Sequence, residues 1–260
     1  YDEMNTIRKN LATESKTSTE YTLHILFTQF VRHAERKLNL CLTYPLNTEP
    51  PIVDLLAEGV DPDFDKIIES LGYISRNNPK PVIDSVMFWR KSKSEVAVMA
   101  ADAAEHAINA VKEHKDTQGF KKQHAHSSSS VSRFSHRRNN SSKTNINPID
   151  TRLAHLESQV QSSRETAIQG ERKSIISIYI LCRVLIEVVK QVNLDVTGDD
   201  LGDKLEDIVF SQLRSTDPIL ISSSIIRSAN WNFFAELLGY MSDKRFLSVS
   251  DRFIADLEKI

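Results

Sequence analysis

The segment 174–192, SIISIYILCRVLIEVVKQV, is apolar around most of a helical wheel. Its charged residues are Arg183, Glu187 and Lys190, which form a narrow stripe at spacings of four and three. A helix this apolar must be buried on several sides. It is too short to span a membrane, because its longest charge-free run, 174–182, has nine residues where about 20 are needed. The segment therefore predicts the inner helix of a stack of helices.

Apolar residues recur at spacings of three and four along most of the remaining chain, which is typical of amphipathic helices. The pattern predicts helices over 20–42, from Asp61 to about residue 76, over 82–91 and 94–115, and from about residue 149 through the inner segment. It predicts three more over 201–214, 223–241 and 249–259. Strand-like alternation is absent from the sequence. We therefore predict an all-α fold, an α-solenoid of HEAT/armadillo-like helical hairpins, with a helical bundle as the alternative.

The segment 117–147 differs in composition from the rest of the chain. It is rich in serine, asparagine, histidine and basic residues and holds few aliphatic side chains. Residues 115–147 carry a net charge of +6, so the remainder of this chain of net charge −2 carries −8. Such a segment buries too little apolar surface to offset its ordering entropy. We predict a disordered basic insert at 117–147 between helical repeats at 1–116 and at 148–260.

The sequence lacks a motif for catalysis, a cofactor or a metal. There is no G-x-S-x-G motif and no glycine-rich phosphate-binding loop. His124, His126 and His136 lack cysteine or carboxylate partners at ligand spacing. Cys41 and Cys182 lie in apolar helical patterns and are expected to be buried free thiols, as in a reducing cytosol. We therefore expect a non-enzymatic cytoplasmic protein, and the start at Tyr1 predicts a fragment of a longer chain.

A cluster of aromatic and basic residues lies at the C-terminal end of the helix predicted over 82–91. It consists of Trp89, Arg90, Lys91 and Lys93. One interpretation is a core tryptophan followed by solvated basic residues. The other is a docking patch for an acidic surface of a partner protein. The residues alone leave both open.

Several segments resemble the N-terminal region of the Furry family of cell-morphogenesis proteins, in particular its fungal branch. They are EYTLHILFTQFVRHAERKLNLCL at 20–42, GVDPDFDKIIESL at 59–71, KPVIDSVMFWRKSKS at 80–94, RKSIISIYILCRVLIEVVKQ at 172–191, NWNFFAELL at 230–238 and RFIADL at 252–257. The family consists of very large helical-repeat scaffolds. The resemblance implies an NDR/LATS-type kinase and its Mob coactivator as partners, with an upstream Ste20-like kinase. It also implies a place at the cell cortex and at sites of polarised growth.

The same resemblance suggests phosphorylation sites in the basic insert. NDR/LATS-type kinases prefer a histidine five residues before the phosphorylated serine and a basic residue three before it. Ser141 has His136 and Arg138 at these positions, and Ser129 has His124 and His126, a looser match. A phosphate would add about −1.5 to −2 charge to a basic segment. The alternative is a chance match in a basic, serine-rich linker.

A second class of function is an electrostatic tether. The basic insert would then bind RNA or an anionic membrane surface. Against this, Phe120 and Phe134 are its only aromatic residues, and it has no run of four or more contiguous basic residues. We therefore expect a scaffold with no specific nucleic-acid ligand and no integral membrane segment.

Overall fold

All regular elements in the described part of the chain are α-helices. The computed structural model describes the backbone of residues 2–125, 148–194 and 201–258 and, within these, the side chains of 16–116, 151–194 and 201–258. The helices are α1 Asp2–Leu42, α2 Ile52–Leu56, α3 Pro62–Ser75, α4 Pro79–Ala125, α5 Pro148–Gln191, α6 Leu201–Ser215, α7 Pro218–Ser223, α8 Ile225–Lys244 and α9 Phe246–Leu257. The all-α prediction is confirmed. None of the described helices has an apolar stretch that could cross a bilayer.

Local capping chemistry sets several helix starts. Asp61 accepts a hydrogen bond from the backbone N–H of Phe64 at 3.2 Å, and Pro62 occupies the first helical position of α3. Asp217 caps α7 by accepting from the N–H of Ile219 at 2.8 Å. Such oxygens satisfy amide groups that have no acceptor within the helix. The predicted start of α3 is confirmed, whereas the six-residue α7 was not predicted.

Helix α4 is longer than the sequence pattern suggested. The segments 82–91 and 94–115 form one helix, and α4 continues to Ala125, nine residues into the segment predicted to be disordered. Residues 91–94 contain neither glycine nor proline, and extending an existing helix costs far less than nucleating one. The rest of the predicted insert, 126–147, lies outside the described residues.

The chain divides into two compact units. The first combines residues 1–94 with 172–260. In it α1 packs on α2 and α3, and α8 packs on α2, α6, α7 and α9. The inner segment of α5 passes through this core, where Ile176, Ile180 and Leu185 are fully buried. The prediction of an inner helix at 174–192 is confirmed.

The second unit, residues 95–171, holds the adjoining parts of α4 and α5. A Cβ atom added to Gly170 would lie 3.3 Å from the Cα atom of Ala97, so small residues allow the two backbones to approach closely. Further along, the Lys115 Nζ atom pairs with the Glu157 Oε1 atom at 3.0 Å. Position 97 thus faces 170 and position 115 faces 157, so the two helices run antiparallel.

Candidate functional site

A charged cleft of about 450 Å³ opens on the first unit between α3, α5 and α8. We call it the acidic cleft, and its lining residues are Glu58, Asp65, Ile68, Glu69, Arg183, Ile186, Glu187, Lys190, Phe233 and Glu236. Five of these side chains are acidic and two are basic, which gives the lining a formal charge of −3. Apolar contributions come from the two isoleucines and the phenylalanine. The cleft therefore combines negative charge with a small apolar surface.

An ion pair between a buried arginine and a half-buried aspartate holds the inner wall of the acidic cleft. Arg183 is 8% exposed, and its guanidinium contacts Asp65 Oδ1 at 2.6 Å and donates to the carbonyl of Leu56 at 2.8 Å. The other oxygen of Asp65 accepts from the N–H of Gly59 at 2.8 Å. Gly59 has a φ of 88°, a left-handed conformation that glycine adopts readily. These contacts join α5 to α3 and to the turn before it.

The three charged residues of the polar stripe on α5 do not all pair with one another: one of them pairs with a residue of another helix. Arg183 and Glu187 lie four residues apart on α5, a spacing at which side chains of one helix can pair, but Glu187 binds Lys190 at 2.6 Å instead. Arg183 turns to Asp65, 118 positions earlier in the sequence. Helical spacing shows which side chains of one helix are neighbours, and it carries no information on acids from another helix.

Close packing of two helices shapes the same wall. A Cβ atom added to Gly72 of α3 would lie 3.0 Å from the carbonyl oxygen of Glu187. At this distance the backbones of α3 and α5 are nearly in contact. The absence of a side chain at position 72 therefore sets how closely the two helices cross beside the cleft.

Two carboxylates of the acidic cleft are available to a ligand. Glu58 and Glu236 are exposed, and neither forms an ion pair or side-chain hydrogen bond within the described part of the chain. Glu69 accepts from the hydroxyl of Tyr73 at 3.1 Å, and this contact raises the pKa of Tyr73. The pKa of Lys190 is also raised: burial opposes its charge, but the hydrogen bond that Lys190 donates to Glu187 and the attraction of nearby carboxylates outweigh burial. The local field of the cleft is therefore negative.

A buried arginine helps to position α8, which forms one wall of the acidic cleft. Arg172 is 7% exposed and donates to four carbonyls of the loop after α1, at 2.9–3.1 Å. Those carbonyls belong to Tyr44, Pro45, Leu46 and Thr48. The next residue, Glu49, accepts from Ser224 Oγ at 2.6 Å and from the N–H of Ile226 at 3.2 Å. Arg172 thus holds the loop whose glutamate binds the N-terminus of α8.

The tryptophan of the aromatic and basic cluster lies in the core. Trp89 is 4% exposed, meets Phe30 edge to face with 5.4 Å between ring centroids, and donates from Nε1 to Glu35 Oε1 at 3.0 Å. Lys93 and Lys173 pair with the same carboxylate. Burial acts to raise the pKa of Glu35, but the hydrogen bonds from Lys93, Lys173 and Trp89 hold it below its usual value. The core position of Trp89 agrees with the first of the two interpretations left open by the sequence, but the side chain of Lys93 is only 17% exposed, so it is not a solvated basic residue as that interpretation expected.

The other two members of the cluster separate from the tryptophan. Lys91 is exposed, whereas Arg90 is partly buried and lines a different pocket together with Met87. Successive residues of a helix point about 100° apart, so adjacency in sequence does not make these residues one surface. A docking role for Trp89, Arg90, Lys91 and Lys93 as a single patch stays a prediction.

The predicted phosphorylation sites lie outside the described residues. This holds for Ser129 and Ser141 and for their recognition residues His126, His136 and Arg138. His124 falls in the last turn of α4, where only the backbone is described.

The described side chains contain no group of His, Cys, Asp and Glu that could hold a metal ion. Cys41 and Cys182 are buried and free, as the sequence predicted. Burial raises the pKa of Cys41 to about 11 and that of Cys182 further. Both thiols are therefore protonated and unreactive at neutral pH.

Comparison with known proteins connects the chain to cell morphogenesis. Residues 171–260 match the family described as "Cell morphogenesis N-terminal". The whole chain aligns with the cell morphogenesis protein PAG1 of Saccharomyces cerevisiae at 47% identity over 300 positions, covering 12% of that protein. The cell polarity protein mor2 of Schizosaccharomyces pombe is 29% identical over 259 positions, covering 95% of this chain and 9% of mor2. The chain thus spans about a tenth of each relative's length. No solved structure matches it significantly.

Proposed function

This chain belongs to the cell-morphogenesis family that includes PAG1 and mor2, and on that basis we propose that it is a scaffold segment acting in cell morphogenesis and polarised growth. Its role is non-enzymatic: it holds an NDR/LATS-type kinase with its Mob coactivator, as the resemblance to the Furry family implies. The acidic cleft is the docking surface. Its partner is a basic face of the kinase and coactivator complex.

The charge of the acidic cleft is the observation that carries this proposal. Glu58 and Glu236 present carboxylates that form no ion pair with a described side chain, within a lining of formal charge −3. Complementary charge across an interface accelerates encounter and selects the partner. Lysine or arginine side chains of a partner fit this arrangement, and their aliphatic stems fit the apolar surface beside it.

The rigidity of the cleft walls supports the same proposal. The ion pair of Arg183 with Asp65 and the four hydrogen bonds from Arg172 hold the walls in place before binding. A preorganised surface loses less conformational entropy on association. The cleft alone is smaller than a stable interface, which buries about 800 Å² on each partner. It therefore acts as the centre of a wider contact.

Charge reversal tests the proposal. The variant E58K/E236K changes the lining charge from −3 to +1 without touching a described ion pair. Asp84 and Asp251 are exposed acids outside the cleft, so D84K/D251K is a control with the same change in net charge. Affinity for a purified NDR-type kinase bound to Mob is measured by biolayer interferometry. We expect E58K/E236K to weaken binding at least tenfold, equivalent to about 1.4 kcal/mol, and the control to bind like the unaltered chain.

The outcomes separate the scaffold from the electrostatic tether. Equal weakening by both double variants would show that overall charge, rather than the cleft, determines binding. Binding that survives cleft reversal but disappears when 117–147 is deleted would move the docking site to the basic segment. In that case, steep salt dependence of binding to RNA or to anionic vesicles identifies the ligand.

A further inference from the structure

A second pocket of about 300 Å³ lies in the first unit between α4, α5, α6 and α8. We call it the Arg90 pocket, and its lining residues are Met87, Arg90, Ile178, Leu181, Asp207, Ile208, Ser211, Gln212 and Phe234. Five of these nine side chains are purely apolar. No residue lines both this pocket and the acidic cleft.

Arg90 is the unusual member of the Arg90 pocket. Its Nε atom is buried and has no hydrogen-bond partner, and no acid in the described part of the chain forms an ion pair with its guanidinium. Burial lowers the pKa of Arg90. Arg90 is half-buried, and a cation partly withdrawn from water without a counter-charge is unfavourable, so such groups are normally paired.

The two buried arginines of the described part of the chain, by contrast, have their partners. Arg172 donates to four carbonyls, and Arg183 has both a carboxylate and a carbonyl partner. The acid that lines the Arg90 pocket, Asp207, pairs with Arg252 on the neighbouring helix α9. Both buried guanidinium groups of the described residues are thus satisfied, whereas the half-buried Arg90 has no ion pair there.

We propose that the Arg90 pocket is a docking site for an aspartate or glutamate side chain of a partner protein, with an adjacent apolar side chain packed against Met87 and Phe234. The carboxylate would complete the ion pair that Arg90 lacks, and Ser211 and Gln212 offer further hydrogen-bond donors at the rim. A guanidinium binds a carboxylate through two parallel N–H groups. This proposal is independent of the kinase assignment, and its ligand has the opposite charge to that of the acidic cleft.

The lining of the pocket favours a carboxylate over a phosphate. Arg90 is the one cation that lines it among the described side chains, whereas a phosphorylated side chain carries about −1.5 to −2 charge and three acceptor oxygens. A single guanidinium neutralises one carboxylate and leaves a phosphate half compensated. The apolar walls likewise suit a protein side chain better than a hydrated anion.

Thermal stability gives the first test, since it needs no ligand. Arg90→Met keeps the apolar stem and removes the uncompensated charge, so we expect Tm of the 260-residue chain to rise by about 2–4 °C. Arg32→Met is the matched control, because Arg32 is exposed and has no described partner; we expect its Tm to be unchanged. A fall in Tm for Arg90→Met would show that the guanidinium has a structural partner and would overturn the proposal.

Peptide binding gives the second test. The probe is an array of nonapeptides with a central glutamate between apolar residues, each beside a twin with glutamine and a twin with phosphoserine. We expect the unaltered chain and Arg32→Met to bind a subset of glutamate peptides at least tenfold better than both twins. Arg90→Met should lose this preference and Arg90→Lys should keep part of it. A preference for phosphoserine, or a glutamate preference that persists in Arg90→Met, would refute the docking site.

Discussion

Arg172→Met should destabilise the chain more than the substitution of an exposed arginine. Arg172 links its own helix, α5, to the loop after α1 and, through that loop, to α8. Its guanidinium donates to the carbonyls of Tyr44, Pro45, Leu46 and Thr48. The same loop carries Glu49, which accepts from Ser224 and from the first turn of α8. Methionine fills the volume of the arginine stem and removes all four hydrogen bonds.

The size of the loss in unfolding free energy depends on whether the four carbonyls find other hydrogen-bond donors after the substitution. A hydrogen bond to a charged group contributes about 1.5–3 kcal/mol, so simple addition over four bonds would give about 6–12 kcal/mol. That sum is too large, because Pro45 and Thr48 are exposed and their carbonyls can bind water instead. The buried guanidinium is also relieved of its desolvation cost. We therefore expect a loss of about 3 kcal/mol, which corresponds to a fall in Tm of about 6–12 °C.

Urea denaturation followed by circular dichroism measures this loss, and hydrogen exchange locates it. Arg164→Met is the control on the same helix, because Arg164 is exposed and has no described partner; it should stay within about 0.5 kcal/mol of the unaltered chain. Amides of residues 43–50 and of the first turn of α8 should exchange faster in Arg172→Met alone. A change below about 0.5 kcal/mol in Arg172→Met, or full stability of Arg172→Lys, would refute the reasoning.

Three further predictions concern helix packing, pH and modification. Gly72→Ala should destabilise by about 1–2 kcal/mol in thermal unfolding because its Cβ atom would lie 3.0 Å from the carbonyl of Glu187; Gly239→Ala, with open space around it, should instead stabilise by about 0.5–1 kcal/mol. Because the pKa of Glu35 is lowered in the folded chain, its contribution to stability is full above its unfolded pKa of about 4.3 and is lost as the pH falls through the lower folded value. Urea midpoints of Glu35→Gln should therefore depend less on pH than those of the unaltered chain below about pH 5, and parallel curves would contradict this. An NDR-type kinase with Mob should phosphorylate Ser141 in vitro, and mass spectrometry that finds the phosphate elsewhere would reject the motif.

The candidate sites show how far sequence reasoning reaches. The excess of acidic residues outside 115–147 predicted a negative surface, but the acidic cleft collects its carboxylates from three separate stretches of chain, 58–69, 187 and 236, and no local pattern links these stretches. The cluster from Trp89 to Lys93 was recognised as unusual. Trp89 and Lys93 both contact Glu35, whereas Arg90 points elsewhere, so its unpaired guanidinium emerges only from the positions of α5, α6 and α8.

The sequence by itself determined the all-α fold, the start of α3 at Asp61 and the burial of 174–192. These features depend on the periodicity of apolar residues and on contacts between side chains and backbone a few positions apart. The geometry of a single helix is enough to predict both. The tertiary structure decided which partners Arg172 and Arg183 have and how closely α3 approaches α5. It also decided that the guanidinium of Arg90 and the carboxylates of Glu58 and Glu236 have no ion-pair partner in the described part of the chain. Those outcomes depend on contacts across more than 100 residues, and such contacts form only when the helices pack.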